Sequence, residues 1–258
     1  MPTNRLIHKT IIVTGGGTGI GRGVALMMAA AGARIVLGAR REGPLAETVA
    51  AIEAAGGQAT YLSTDVRVEA QCQALVQHAV DTYGGLDGLV SNAGLYPRHE
   101  LPDITQEIWD LTVDVNLRGH FFMVKHAMPA LLERGGGSII FVGSVHGYKG
   151  DADVLPYSAA KGGLWVMCKN LARTYAPHGV RVNYINPGWV ASEGEVHHRA
   201  ELGQSIEWLE QQGREFVPSG RLATPEDTGH VCVLLASDDA TQITASAINV
   251  DGGLSVVM

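Results

Sequence analysis

Tyr157 and Lys161 stand four positions apart in Tyr-Ser-Ala-Ala-Lys, thirteen positions after Ser144. On a helix, positions i and i+4 share a face, so the phenol and the ammonium project side by side. A nearby cation favours the phenolate and draws a tyrosine down from its ordinary value of about 10. A phenol tuned in that way can exchange a proton with an alcohol or a ketone near neutral pH. Ser144 ends an apolar run in Phe-Val-Gly-Ser, where a hydroxyl can hydrogen-bond a substrate oxygen as charge develops on it. A Tyr-x-x-x-Lys pair alone is usually only a helix surface. Its meaning rests on what else the chain carries.

Residues 6–13 form an apolar stretch suited to a parallel strand buried on both faces. It runs into Thr-Gly-Gly-Gly-Thr-Gly-Ile-Gly, and residues 22–33 then read as helix. Strand, glycine turn and helix bring backbone N–H groups and a helix N-terminus against a pyrophosphate. The spacing is Gly-x-x-x-Gly-x-Gly, at Gly15, Gly19 and Gly21, and not Gly-x-Gly-x-x-Gly, because Ile20 occupies the place of the last glycine. The plain alternative is a flexible turn between two core elements.

The rest of the chain alternates strand and helix without an internal linker. Strands are expected over 34–38, 58–63, 86–91, 138–142, 180–185 and 247–250. Helices are expected over 44–55, 69–83, 108–132, 157–176 and 225–236. That rhythm predicts an α/β fold, a Rossmann-type doubly wound parallel sheet with helices on both faces, in one domain over residues 1–258. At 258 residues, with 46% hydrophobic, the chain can bury one large core.

The formal charge of −7 is spread along the chain, with no basic stripe, so nucleic acid is not an expected partner. Cys72, Cys168 and Cys232 lack metal-ligand spacing and read as buried or incidental thiols in a reducing compartment. No apolar run approaches the roughly 20 residues of a membrane span, and the expected location is the cytoplasm. Ser144 does not make a hydrolase elbow, since Gly-x-Ser-x-Gly would need glycine where Val142 and His146 stand. The adjacent His197 and His198 would point in different directions on a helix, and no metal site is expected.

Thr-Gly-x-x-x-Gly-x-Gly, Asn92-Ala93-Gly94, Asn116, Ser144, Tyr157-x-x-x-Lys161 and Pro187-Gly188 fall in the order and spacing of one family. Along essentially its whole length the chain resembles the short-chain dehydrogenases/reductases. The resemblance implies a Rossmann domain, a nicotinamide cofactor and reversible alcohol–ketone oxidoreduction. It implies Tyr157 as general acid/base, Lys161 and Ser144 as its partners, and Asn116 positioning a water that links Lys161 to solvent. It also implies a cofactor site built from Gly15, Gly17, Thr18, Gly19, Ile20 and Gly21, from Arg40 and Arg41, and from Asp65 and Val66. Asn92, Ala93 and Gly94, Tyr157 and Lys161, and Pro187, Gly188, Val190 and Ser192 would complete it. Ser192 stands where the family usually has threonine against the carboxamide. Paired long helices in this family form four-helix interfaces. Residues 108–132 and 157–176, with the uncharged end 254–258, therefore suggest a homotetramer.

An acidic residue at the end of the second strand holds the ribose hydroxyls of NAD, whereas an arginine accommodates a 2′-phosphate. Here Ala39 occupies the acidic position and Arg40 and Arg41 follow, which favours NADP(H), with NAD(H) as the alternative. The loops after the fourth, fifth and sixth strands should hold the small-molecule substrate. They carry Tyr96, Arg98 and His99, then His146, Tyr148, Lys149, Asp151 and Asp153, then Trp189, Glu193, His197, His198 and Arg199. Of these, Tyr96, Arg98, His146, Tyr148 and Trp189 are the chosen substrate-site candidates. The mostly hydrogen-bonding inventory suits a sugar, polyol or sugar acid. The alternative is a small cyclic or aromatic ketone stacked on Trp189 or Tyr96. Residues 192–220 are longer than a plain connection and contain Ser-Ile-Glu-Trp-Leu-Glu, a short amphipathic helix that suggests a lid.

Overall fold

Every residue of the first strand, β1 (Thr10–Thr14), is buried, and its side chains alternate between two cores. Ile11 and Val13 join one apolar cluster and Ile12 the other, so helices cover both faces of the sheet. The structure is a computed structural model that describes residues 4–256. Among these, β1 is followed by α1 (Gly19–Ala30), β2 (Arg34–Ala39), α2 (Glu42–Ala54), β3 (Gln58–Ser63), α3 (Glu69–Tyr83) and β4 (Gly88–Ser91). Next come α4 (Gln106–Val113), α5 (Gly119–Glu133), β5 (Gly137–Val142), α6 (Leu155–Tyr175) and β6 (Val180–Pro187). The chain closes with α7 (Glu193–Glu201), α8 (Ile206–Phe216), α9 (Pro225–Ala236) and β7 (Ala247–Val250).

The strands form one parallel sheet in the order β3-β2-β1-β4-β5-β6-β7. Strand order reverses between β1 and β4, and ligands of such sheets bind at the carboxyl ends beside that reversal. On one face α1 and α9 pack Val24, Met28, Cys232 and Leu235 against β1 and β2. On the other, α3, α5 and α6 contribute Leu75, Met123, Leu131 and Leu164. The three cysteines are buried and unpaired, and burial pushes each thiol above its ordinary value. Among the described residues no helix is long and apolar enough to cross a membrane.

The doubly wound architecture expected from the alternation is the one observed, with differences at particular boundaries. β1 begins at Thr10 and not at Leu6. The preceding residues turn with His8 at φ 66°, while Leu6 is buried against the α1 side of the sheet. Helix α1 starts inside the glycine cluster, at Gly19. The long helix expected over 108–132 is two helices joined by a π-helical turn over Asp114–Arg118. Asn116 sits in that turn, fully buried, and its Nδ2 donates to the Thr112 carbonyl at 2.9 Å. Single π-turns of this kind widen the helix where a side chain must be re-aimed, and they concentrate at functional sites. The segment expected to carry one short helix carries two, α7 and α8.

Candidate active site

Around the β1–β4 reversal, side chains splice the two strands. Thr14 Oγ1 accepts from the backbone N–H groups of Asn92 and Ala93 at 2.9 and 3.0 Å, and Asn92 Nδ2 donates to the Thr14 carbonyl at 2.9 Å. Over this splice lies the glycine turn. Gly15 and Gly19 have φ of 67° and 55°, a region L side chains rarely adopt. A Cβ at Gly21 would stand 2.2 Å from the Gly15 carbonyl oxygen, so the turn closes only without one. Thr18 makes no side-chain cap on α1, and the first turn of α1 holds no acidic residue. Its leading N–H groups and the positive end of its dipole are thus left for an anion. These features fit the pyrophosphate of a dinucleotide.

At the end of β2, Arg40 and Arg41 are both exposed. Asp65, beyond β3, is held by Arg67, which donates to both carboxylate oxygens. The Arg67 hydrogen bond, aided by the charge of Arg40, keeps the Asp65 carboxyl below its ordinary value. Arg67 was not anticipated from the sequence; an arginine two positions after an aspartate at a strand end was the available signal. Val66 is buried against Gly119, where a Cβ would lie 2.7 Å from it. On the far side, Gly188 follows Pro187 and donates to the Val250 carbonyl at 3.1 Å. A Cβ at Gly188 would meet the Asp251 backbone at 2.6 Å. Val190 is buried and bridges to Ala223. The Ser192 hydroxyl caps α7 by accepting from the Glu195 N–H at 3.2 Å, and Gly19 faces it across the cleft.

Ser144, Tyr157, Lys161 and Asn116 come together between these two walls. Tyr184 on β6 organises them. Its hydroxyl accepts from the Ser144 N–H at 3.1 Å and lies 3.1 Å from the Lys161 carbonyl, to which it donates. Its ring packs on Gly143, where a Cβ would stand 1.9 Å from it, so the residue between β5 and Ser144 must be glycine. A tyrosine in the middle of an apolar strand was the signal for this role, since a buried hydroxyl needs partners. The Lys161 ammonium is buried and donates to the Val142 carbonyl at 2.9 Å, 5.6 Å from the centre of the Tyr157 ring. Asn116 donates to the Leu95 carbonyl at 2.9 Å and accepts from the Leu95 N–H at 3.3 Å, clamping the loop after β4. Gly94 fits between Asn116 and Lys161; a Cβ there would lie 3.0 Å from Asn116 Oδ1 and 3.9 Å from Lys161 Nζ.

The protonation states differ from the sequence expectation. Burial pushes the Tyr157 phenol up to about 12, opposed by the hydrogen bond of Ser144, and burial pulls Lys161 down to about 7. The protein's own groups therefore keep Tyr157 protonated at neutral pH, and Lys161 does not draw it down. Desolvation disfavours the charged form of each. His120, also unanticipated, lies beneath this pair. It is buried, bonded through Nδ1 to the Ser91 hydroxyl at 2.7 Å, and held neutral by burial and by the charge of Lys161.

Three of the five substrate candidates, Tyr96, Arg98 and His146, stand together beside Tyr157. Tyr96 stands edge-on to Tyr157 with ring centres 4.7 Å apart, and its hydroxyl lies 3.3 Å from His146 Nε2 and 3.1 Å from Arg98 Nη2. Trp189 Nε1 donates to Glu195 at 2.7 Å, and Arg199 lies 5.3 Å from the Trp189 ring. Tyr148 is turned away toward β7, where its hydroxyl donates to Asn249 at 3.0 Å. His197 and His198 sit on an exposed face of α7 near Glu201. No group of three metal-ligating side chains occurs among the described residues.

A lysine pulled down to about 7 costs stability fully below that pH and not at all above its ordinary value near 10.5. The cost is on the order of 5 kcal/mol at 1.36 kcal/mol per unit. Lys161→Met removes it and leaves the Val142 carbonyl unpaired, which returns about 1–3 kcal/mol. Cofactor-free Lys161→Met is therefore expected to melt several degrees above wild type at pH 7, with the gap closing as pH approaches 10.5. Calorimetry at both pH values checks this, and an equal gap at both would contradict it.

A family model described as enoyl-(acyl carrier protein) reductase matches residues 15–255. A short-chain dehydrogenase/reductase of Armillaria gallica is 37% identical over 95% of each chain. An L-rhamnose 1-dehydrogenase (NAD(P)(+)) of a Sphingomonas species is 37% identical over 96% of each chain. A Beutenbergia cavernae structure with bound NADP at low occupancy, assigned provisionally as an NAD(P)-dependent gluconate 5-dehydrogenase, superposes with a TM-score of 0.88. It is 30% identical and covers 98% of this chain and 99% of its own. The glycine turn on α1, the parallel sheet and the Ser144–Tyr157–Lys161 cluster thus belong together: the chain is a member of the short-chain dehydrogenase/reductase family and an NAD(P)-dependent oxidoreductase acting on CH–OH groups.

Proposed function

We propose that this enzyme is an NADP(H)-preferring, cytoplasmic homotetramer that interconverts a secondary alcohol and a ketone on a small polar substrate: a sugar, a polyol, or a sugar or hydroxy acid. The observation that carries the reading is the hydrogen-bonding wall of Tyr96, Arg98 and His146 set directly against Tyr157. A steroid or acyl-chain site would want mainly apolar walls. The named activities of the relatives in rhamnose and gluconate oxidation agree with a polar substrate.

Bound nicotinamide supplies the hydride chemistry. Tyr157, protonated at neutral pH, gives its proton to the carbonyl oxygen in reduction and takes it back from the alcohol in oxidation. The Ser144 hydroxyl steadies that oxygen as charge develops on it. Lys161 stabilises the phenolate that Tyr157 becomes, and Asn116 holds the Leu95 backbone so that the site's floor keeps its shape. Asp65 and Asn92 serve the adenosine end, and Ser192 the carboxamide end. Arg40, with Arg67 beside Asp65 and no acid at Ala39, gives an electropositive corner suited to a 2′-phosphate. Helices α7 and α8 form the lid. Three unpaired buried thiols suit a reducing compartment.

The tetramer reading rests on α4, α5 and α6. Trp109, Leu111, Phe121 and Val166 are exposed there, and Phe121, Val124, Met128, Met167 and Leu171 line a groove between α5 and α6. At the uncharged C-terminal end, Leu254 is buried and Val256 exposed, and residues 257 and 258 lie outside the described residues.

Three outcomes test this reading. Tyr157→Phe keeps the ring and loses the exchangeable proton, so kcat should fall roughly a hundredfold or more while cofactor binding persists. Near-normal turnover would remove Tyr157 from the mechanism. Arg40→Ala should weaken kcat/KM with NADP(H) tenfold or more and spare NAD(H), since one charge-assisted contact is worth about 1.5–3 kcal/mol. A wild-type preference for NAD(H), untouched by the substitution, would reverse the cofactor assignment. Light scattering should give a tetramer mass, and a stable, active monomer would refute the assembly. The second substrate reading, a small cyclic or aromatic ketone, draws on a ring cluster in which His146 stacks on Tyr96 and Tyr157 stands edge-on to both. High efficiency on apolar ketones with none on sugars, polyols or hydroxy acids would favour it.

A further inference from the structure

The loops after β4 and β5 are locked to each other over Tyr157 through Arg98 and Asp153. Arg98 Nη1 donates to both carboxylate oxygens of Asp153, at 3.0 and 3.1 Å, and the His99 N–H donates to the Asp153 carbonyl at 2.7 Å. Asp153 holds φ 57°, one of three non-glycine residues with positive φ among the described residues. A guanidinium only donates, so the Tyr96 hydroxyl accepts from Arg98 Nη2, and it lies 3.3 Å from His146 Nε2. His146 Nδ1 has no hydrogen-bond partner and faces the Asp151 carboxylate at 3.7 Å. The wall beside Tyr157 is thus a hydrogen-bonded group whose one guanidinium is already matched to a carboxylate.

The surrounding charges add no surplus of positive field. The Tyr96 phenol feels Arg98 in one direction and Asp151, Asp153 and Glu195 in the other. His146 feels Asp151 and Asp153 against Lys149 and Arg98. A substrate carboxylate wants an uncommitted guanidinium, which would grip it by two parallel bonds. A hydroxyl wants a donor and an acceptor with no net charge behind them. Building on the polar-substrate reading above, we infer that Asp153 is a specificity-determining residue, which cancels Arg98 so that the site takes neutral polyhydroxyl alcohols and turns away carboxylates. The bland alternative is that Asp153 only clamps two loops.

Hexitols and hexonates of matched configuration separate these roles, because they differ only in a terminal hydroxymethyl or carboxylate group. Wild-type enzyme should show the higher kcat/KM on the hexitol. Asp153→Asn keeps an acceptor for Arg98 and a residue that tolerates positive φ, and removes only the charge. It should raise the hexonate-to-hexitol ratio of kcat/KM by about tenfold, the lower end of what a hydrogen bond to a charged group is worth. Arg98→Gln should move the ratio the opposite way, which a clamp would not do. A ratio unchanged in both variants, or shifted in the same direction by both, overturns the inference. Wild-type preference for hexonates also overturns it and leaves the polar-substrate reading standing. Turnover of apolar ketones with neither probe accepted overturns both.

Discussion

Lys161 sits where burial makes a charge expensive, and much of the site is arranged around that conflict. Its ammonium is almost wholly removed from solvent and has one protein acceptor, the Val142 carbonyl. Desolvation brings its pKa to about 7, far enough that protonation becomes a variable at physiological pH. The same apolar surroundings hold Tyr157 in its neutral form and His120 uncharged behind it. The pair thus rests as a neutral acid beside a readily titrated base. Such poising is common where proton transfer is the task.

Geometry is then kept by backbone groups more than by the Ser144, Tyr157 and Lys161 side chains themselves. Tyr184 ties the Ser144 loop to the Lys161 helix with a single hydroxyl, and Asn116 ties the loop after β4 to the π-turn. Thr14 and Asn92 tie β1 to β4 where the sheet reverses. Each of these ties satisfies polar groups that would otherwise be buried without partners, at a cost of about 1–3 kcal/mol apiece. The floor of the site is rigid for the same reason that the core is. The segment carrying α7 and α8 is built differently. Arg199 lies 5.3 Å from the Trp189 ring and 5.4 Å from the Trp208 ring, and donates to Glu195 at 2.7 Å, while Arg22 of α1 pairs with Glu193. Polar and cation–π contacts, each worth about 0.5–2 kcal/mol, join α7 to α1 and to the Trp208 ring of α8.

Much of this was legible in the residues alone. Alternating apolar strands and helices of ordinary length determined the doubly wound sheet, because strand and helix periods read the same in a sequence as in a fold. The glycine spacing marked a turn that only glycine can make, and Tyr157, Lys161 and Ser144 declared themselves by type and order. What tertiary structure decided was everything that depends on which groups share a volume. Desolvation reversed the expected direction of the Tyr157 shift, and no sequence spacing reports desolvation. The π-turn at Asn116 arose within a pattern that reads as unbroken helix. Tyr148 turned to β7, although it sits two positions from His146. Tyr184, forty positions from Ser144, became the hinge-pin of the site only because β5 and β6 are neighbours in the sheet. Local chemistry and periodicity are properties of the chain, whereas protonation, pairing and field are properties of the packed molecule, because they are set by what lies across a few ångströms of space.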